Sequence, residues 1–248
     1  MNKIILLILI TNLAFSAQSQ FNKDTGNKSR FKPGFMWNFT GLRPAEAGKA
    51  QKYDRLVFDV IYNDWFGDLK TFKNQWSSIG LNTNMLFDIP LNGSNTISFG
   101  TGIRHTLFRT ENLANLFSAD PTNTYTVISN APSAVDVKRR LLCGNAIGIP
   151  LEMRFRTQNW KHVKFHVGGT ISYQWNVYAK SVLSGPDGRQ VVKDFNFADV
   201  NRLALSAHVR VGIRNWALFA SYGINPMFTN RSSAKLHLVQ LGLSTSLF

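Results

Sequence analysis

Between Asn145 and Ala179 the chain alternates apolar and polar residues with a period of two. Ile147, Ile149, Leu151, Met153 and Phe155 share one face, and Gly148, Pro150, Glu152, Arg154 and Arg156 share the other. That period marks a strand with unlike faces. After Thr157–Lys161 the pattern restarts, with Val163, Phe165, Val167, Ile171, Tyr173, Trp175 and Val177 opposite Lys164, His166, Thr170, Ser172, Gln174 and Asn176. The segment predicts a long hairpin. Each arm is long enough to cross a bilayer at a tilt, which takes about 9–11 residues.

The same alternation predicts strands over 55–65, 79–89, 97–107, 203–213, 216–222 and 239–247. With the hairpin that makes eight. The run Pro90-Leu91-Asn92-Gly93-Ser94-Asn95 reads as a tight turn in which Asn-Gly supplies positive backbone angles. Connections after the second, fourth and sixth strands are short. Those after the first, third, fifth and seventh are longer, including loops expected over about 110–137 and 180–200. A meander with all its long loops at one end is the pattern of bacterial outer-membrane barrels. The expected fold class is therefore all-β, an eight-stranded antiparallel up-and-down transmembrane β-barrel.

Alternation alone leaves open a soluble barrel with its apolar face inward. Two features favour the membrane. The apolar face of the second to eighth strands carries no Asp, Glu, Lys or Arg, and a charge facing lipid at mid-depth costs about 2–4 kcal/mol. Trp65, Phe66, Trp76, Trp160, Trp175, Trp216, Phe228 and Phe248 lie mostly at strand ends or beside turns, where an interfacial aromatic girdle belongs.

The first residues state the destination. Lys3, the apolar run Ile4–Ile10 continued by Leu13-Ala14-Phe15, and small residues at 16–19 read as a secretory signal peptide over 1–19. Residues 20–52 form an expected basic periplasmic arm, and 53–248 the outer-membrane barrel. No later stretch approaches 18 uninterrupted apolar residues, so spanning by helices is not expected. A net charge of +14, from 28 Lys and Arg against 14 Asp and Glu, points on an exported chain to anionic lipid headgroups and lipopolysaccharide phosphates, not to nucleic acid. The single cysteine, Cys143, allows no intrachain disulfide.

If the polar face is the lumen, it gathers Arg55, Asp59, Asp88, Arg104, Glu152, Arg154, Arg156, Lys164, His166, Arg202, His208 and Arg210. Eight strands leave an interior just wide enough for side chains to fill, so these residues are expected to form a charged plug, with a narrow anion-favouring path or ligand site as the alternative. Enzymatic chemistry would need a constellation near the outer rim. His105, with Glu111, Ser118 and Asp120 after it, is the best available, and no nucleophile elbow, metal-ligand spacing or phosphate loop appears. No enzyme, metal or cofactor is expected.

Several segments also carry a family resemblance: Asp54-Arg55-Leu56-Val57-Phe58-Asp59, Ile149-Pro150-Leu151-Glu152-Met153-Arg154-Phe155, Val211-Gly212-Ile213 with Leu218-Phe219-Ala220-Ser221-Tyr222, and Leu241-Gly242-Leu243 with terminal Phe248. In this order they resemble the PorT-like outer-membrane β-barrel proteins of Bacteroidetes, over about 54–248. The resemblance implies an outer-membrane location and insertion by the barrel-assembly machinery. A terminal aromatic is typical of the assembly signal, here Phe248, although it is in phase with Ser246 and Ser244 and not with the apolar row Leu247, Leu243, Leu241. One branch of that group serves a secretion and gliding apparatus, so a periplasmic or secretion-apparatus partner is a further possibility. The expected role is structural or interactive. A small anion-favouring pore or ligand-binding barrel is the second reading, and an accessory part of that apparatus the third.

Overall fold

A computed structural model of the chain describes residues 54–68, 74–93, 95–112, 115–130, 136–157, 163–185, 188–213 and 215–246. The signal peptide over 1–19, the basic arm over 20–52 and the terminal Phe248 lie outside the described residues. Eleven strands follow in chain order: β1 (Leu56–Gly67), β2 (Ile79–Pro90), β3 (Ile97–Asn112), β4 (Asn115–Ala119), β5 (Thr126–Asn130), β6 (Asp136–Arg156), β7 (Val163–Gly185), β8 (Gly188–Asp194), β9 (Leu203–Ile213), β10 (Trp216–Gly223) and β11 (Leu236–Ser246).

Eight of these strands close on themselves. Around the ring, β1 pairs β2, β2 pairs β3, β3 pairs β6, β6 pairs β7, β7 pairs β9, β9 pairs β10, β10 pairs β11 and β11 pairs β1, all antiparallel. The closing pair runs from Val57 opposite Ser246 to Gly67 opposite Leu236. The fold is thus an all-β, closed eight-stranded antiparallel barrel with up-and-down connectivity. Full closure removes the open edges that leave a sheet's N–H and C=O groups unpaired. The start of β1, the end of β11 and the short connections lie at one end, called the lower end below.

The upper end departs from the expected loops. The 110–137 region contains the small hairpin β4–β5, and the 180–200 region contains β8, paired back onto β7 from Ala179 opposite Asp194 to Gly185 opposite Gly188. Strands β6 and β7 run on beyond the expected hairpin, to Asp136 and Gly185. Interspersed Arg139, Arg140 and Lys180 hide this extension from a reading based on polarity. In the turn between β2 and β3, the positive backbone angle falls at Asn95 (φ 50°) and not at Asn92-Gly93. Asn92 Oδ1 instead accepts the backbone N–H groups of Thr96 and Ile97 at 2.9 and 3.2 Å.

One bulge changes the facing of a whole segment. Ala146 pairs with Gln174 but Asn145 pairs with Asn176, which leaves Trp175 as the extra residue. A bulge inserts one residue and re-aims those after it. Val177 and Ala179 therefore point inward and are buried, whereas strict alternation placed Val177 outward beside Trp175.

These residues join an apolar cluster across the upper mouth: Trp65, Phe108, Phe117, Leu142, Phe197, Val200, Met227, Phe228 and Leu236 pack with them. Each such side chain contributes about 1.5–3 kcal/mol of burial. Asp199 pins the loops over this cap. It accepts Thr126 N–H at 3.1 Å, the Thr126 hydroxyl at 2.6 Å and the Ser233 hydroxyl, while its carbonyl accepts Thr229 N–H at 2.8 Å. The expected girdle is corrected accordingly. Trp65 and Phe228 are core residues of the cap, whereas Phe66, Trp76, Trp175 and Trp216 are exposed; Trp160 and Phe248 lie outside the described residues.

Because Trp175 is the extra residue, deleting it restores regular alternation from Gln174 and keeps Val177 and Ala179 inward. The deletion is therefore expected to leave stability in urea within about 1 kcal/mol, whereas Val177→Asn, which puts a polar group into the apolar cap, is expected to cost about 3 kcal/mol or more.

Candidate functional site

Alternation along the eight wall strands delivers a polar, charged interior, ordered in layers from the lower end upward. At the lower end Asp54, held at a positive φ of 51° just before β1, places its carboxylate 2.8 Å from Lys164 Nζ and 3.7 Å from His166 Nε2. Lys164 also donates to the Ser246 hydroxyl at 2.7 Å. Beside them Asp88 accepts Arg156 Nη1 at 2.7 Å and Nη2 at 3.0 Å, Arg154 Nη1 at 3.2 Å, the Ser98 hydroxyl at 2.7 Å and Asn95 Nδ2 at 2.9 Å.

The middle layer is built on Glu152 and Asp59, both with no exposed surface. Glu152 accepts Arg154 Nε and Nη2 at 3.1 and 3.0 Å, pairs with Arg210 Nη1, and lies 3.0 Å from His208 Nε2. Asp59 accepts Arg210 Nε and Nη2 at 3.2 and 2.9 Å, the Ser244 hydroxyl at 2.5 Å and Asn84 Nδ2 at 3.0 Å. Arg104 donates Nε to Asn84 Oδ1 at 2.5 Å and Nη1 to the Thr170 hydroxyl at 2.7 Å. Phe219 lies under both guanidinium groups, its ring centre 4.9 Å from Arg210 Cζ and 5.6 Å from Arg104 Cζ, an arrangement in which a ring face stabilises cations. Glycine makes room for this packing at Gly100, where a Cβ would fall on the Arg154 guanidinium.

Above the charges, Gln240 Nε2 donates to Asn63 Oδ1 at 2.9 Å. A partly open cavity of about 70 Å³ follows, lined among others by Arg104, Thr170, Ser172, Gln174, Ser221 and Gln240, and beneath the cap by Phe108 and Met227. An ionic layer thus lies below this cavity and an apolar layer above it.

Eight of the ten expected charged residues come together here: Asp59, Asp88, Arg104, Glu152, Arg154, Arg156, Lys164 and Arg210. Two do not. Arg55 is half-exposed below the first pairs of β1, and Arg202 is exposed at the upper end, where it donates to the carbonyls of Gln174 and Trp175 at 3.2 and 3.3 Å. Both precede their strands, so neither is held by the pleat. Several partners were missed by attention to charge alone. Asn84, Ser98, Thr170 and Ser244 share the phase of the charged residues and were findable on that ground. Val57, Ile61, Leu86, Ala217 and Phe219 also turn inward, and no polarity signal marks them. Asp54 had no signal because its position rests on one left-handed residue outside any strand.

The other candidates resolve into packing. His105 lies on the outward face, stacked with Trp175 at 5.5 Å. Glu111 pairs with Arg139 Nη2 at 2.5 Å and accepts the Ser77 hydroxyl at 2.6 Å. Asp120 sits at the tip of the β4–β5 hairpin, beyond the barrel wall. Its partial burial opposes ionisation, but the Thr122 hydroxyl and the backbone N–H groups of Tyr125, Thr124 and Thr122 outweigh that and hold its pKa well below the usual carboxylate range. Its contribution to the hairpin is present above the unfolded pKa of about 3.9 and is lost only as pH falls through the lowered value. Among the described residues, no three His, Cys, Asp or Glu are grouped to hold a metal ion.

Fold and interior together define a small closed barrel whose lumen is occupied by its own side chains. No protein-family model matches the chain, and no curated protein matches it. Among solved structures the chain is similar to Ail, the attachment invasion locus protein of Yersinia pestis, with 11% identity and a TM-score of 0.31 over 77% of this chain and 95% of that one.

Removing one member of a buried ionic network leaves its partners charged and unmatched, at about 3–5 kcal/mol. Glu152→Gln is therefore expected to lower stability in urea by that amount, since Arg154 and Arg210 both lose a carboxylate. Arg202→Ala, at the exposed rim, is expected to stay within about 0.5 kcal/mol.

Proposed function

We propose that this protein is an outer-membrane β-barrel with a structural or interaction role, exported by a cleaved signal peptide and closed to ion flow. The observation that carries the reading is the inversion of polarity. Outward-facing Met85, Ile149, Val211, Leu218 and Leu241 are 47–67% exposed while Asp59, Glu152 and Arg154 have no exposed surface. A soluble barrel of this size buries its apolar face and wets its charges; this one does the opposite, which only a hydrocarbon surround stabilises. Dimensions agree. The 11 residues of β9 rise about 35 Å along the strand, or about 25 Å along the axis at the usual tilt, the height of a lipid-facing apolar band.

The ionic layer and the apolar cap support a plug over a pore. Above the apolar band, the upper ends of β6 and β7, the short strand β8 and the hairpin β4–β5 offer a surface for contact with lipopolysaccharide or with another protein. The resemblance to the PorT-like group supports insertion by the barrel-assembly machinery, with Phe248 as part of the assembly signal. It also supports an accessory part in a secretion or gliding apparatus, with the basic arm over 20–52 as the docking segment.

Cell fractionation is expected to place the protein in the outer membrane, with heat-modifiable migration on gels. The purified barrel is expected to give no steady current in planar bilayers. A freely dissolved protein, or a sustained anion-selective current, contradicts the reading. Co-purification of partners with the full chain, and their loss on removal of residues 20–52, tests the docking role.

A further inference from the structure

The interior charges do not balance. Among the described residues, Asp54, Asp59, Asp88 and Glu152 face Arg104, Arg154, Arg156, Lys164 and Arg210 in the lumen: four carboxylates against five cations before either imidazole is counted. The contacts locate the excess. Arg154 donates to Glu152 and Asp88, Arg156 to Asp88, Lys164 to Asp54, and Arg210 to Asp59 and Glu152, each with a distance of 3.2 Å or less. Arg104 differs. Its hydrogen bonds go to the neutral side chains of Asn84 and Thr170, and its nearest carboxylate oxygen, on Glu152, is 3.5 Å away and already shared with Arg210 and His208. Arg104 Nη2 makes no hydrogen bond, although the residue is only 3% exposed.

Arg104 is also the one charged residue lining the cavity of about 70 Å³. Around it the wall offers the hydroxyls of Thr106, Thr170, Ser172, Ser206 and Ser221 and the amides of Gln174 and Gln240, with no carboxylate. Gln174 Nε2 donates to the Asn201 carbonyl at 3.1 Å, while its Oε1, buried without a hydrogen bond, is an acceptor that water accompanying an ion satisfies and an anion does not. One water needs about 10–15 Å³ measured this way, so the space takes a small ion with water around it. An unmatched buried charge is costly, and water solvates it without neutralising it.

We propose that this cavity is a binding site for a small monovalent anion, of halide or formate size, held by Arg104 and the hydroxyl and amide donors around it. The anion supplies the missing negative charge of the plug. The site goes beyond the structural role above, and it depends on the folded interior and not on where the barrel resides in the cell.

Bromide is the probe. Crystals of the full chain, grown in detergent with sodium bromide, are expected to show an anomalous peak in the cavity beside Arg104. Bromide nuclear magnetic resonance line-broadening of the dissolved protein is expected to report the same site. Arg104→Gln is expected to abolish the peak and reduce the broadening at least tenfold. Because that variant disturbs the ionic layer, Ala146→Leu is the second arm: it fills the cavity from the wall with every charge kept, and is expected to cause the same loss. Ordered water without bromide in the wild-type cavity would overturn the proposal. So would bromide binding that persists undiminished in Ala146→Leu.

Discussion

Eight strands enclose a space no wider than the side chains that fill it, so every charged group turned inward must find its counter-charge inside the wall. That constraint organises the molecule. Glu152 is shared among Arg154, Arg210 and His208, and Asp59 among Arg210, Ser244 and Asn84, so that Arg210 bridges the two carboxylates. With their partners they span β1, β2, β6, β9 and β11, so the network ties together strands far apart in the chain. A buried ion pair adds little net stability over apolar packing, but losing one member is costly. The network therefore acts less as a source of stability than as a check on register, because a slip of one residue in any of these strands would turn its charges out into the apolar face.

The upper half solves the same filling problem with different chemistry. Above the ionic layer the wall strands carry Phe108, Leu142, Val177 and Leu236, and the overlying loops carry Phe117, Phe197, Val200, Met227 and Phe228. The cap needs no charge matching, but it needs the loops held down. Asp199 does this by linking the strand β5, its own loop and the loop before β11 through Thr126, Thr229 and Ser233. Between the two layers lies the polar cavity, where neither filling strategy is complete.

The wall of the barrel was legible in the sequence because outward-facing and lumen-facing residues obey one period. Ile147 to Phe155 and Val163 to Tyr173 alternate without interruption for that reason, and Glu152, Arg154 and Lys164 lie buried on the inward side of the same strands. What failed did so where the period is interrupted. Trp175 adds one residue, and the segment after it reverses its facing; nothing in the identity of Trp175 announces a bulge. The outer part of the cap was illegible because Phe197, Val200, Met227 and Phe228 come from loops, where position is set by tertiary packing and not by pleat. Trp65 and Phe228 sit near strand ends, as interfacial aromatics would, yet they turn inward because the mouth offers an apolar cluster to join. Arg55 and Arg202 have the phase of lumen residues but lie beyond the paired strands that would enforce it.

The central claim is the orientation of the two faces, and lipid contact measures it most directly. With Cys143 replaced by Ser, single nitroxide labels at Leu151, Val211 and Leu243 report on the outer face of three different strands in the reconstituted protein. Collision with oxygen, which concentrates in hydrocarbon, is expected to exceed collision with a water-soluble nickel reagent at all three positions. Nickel collision dominating at those positions would mean that the apolar face meets water, and the account would be wrong.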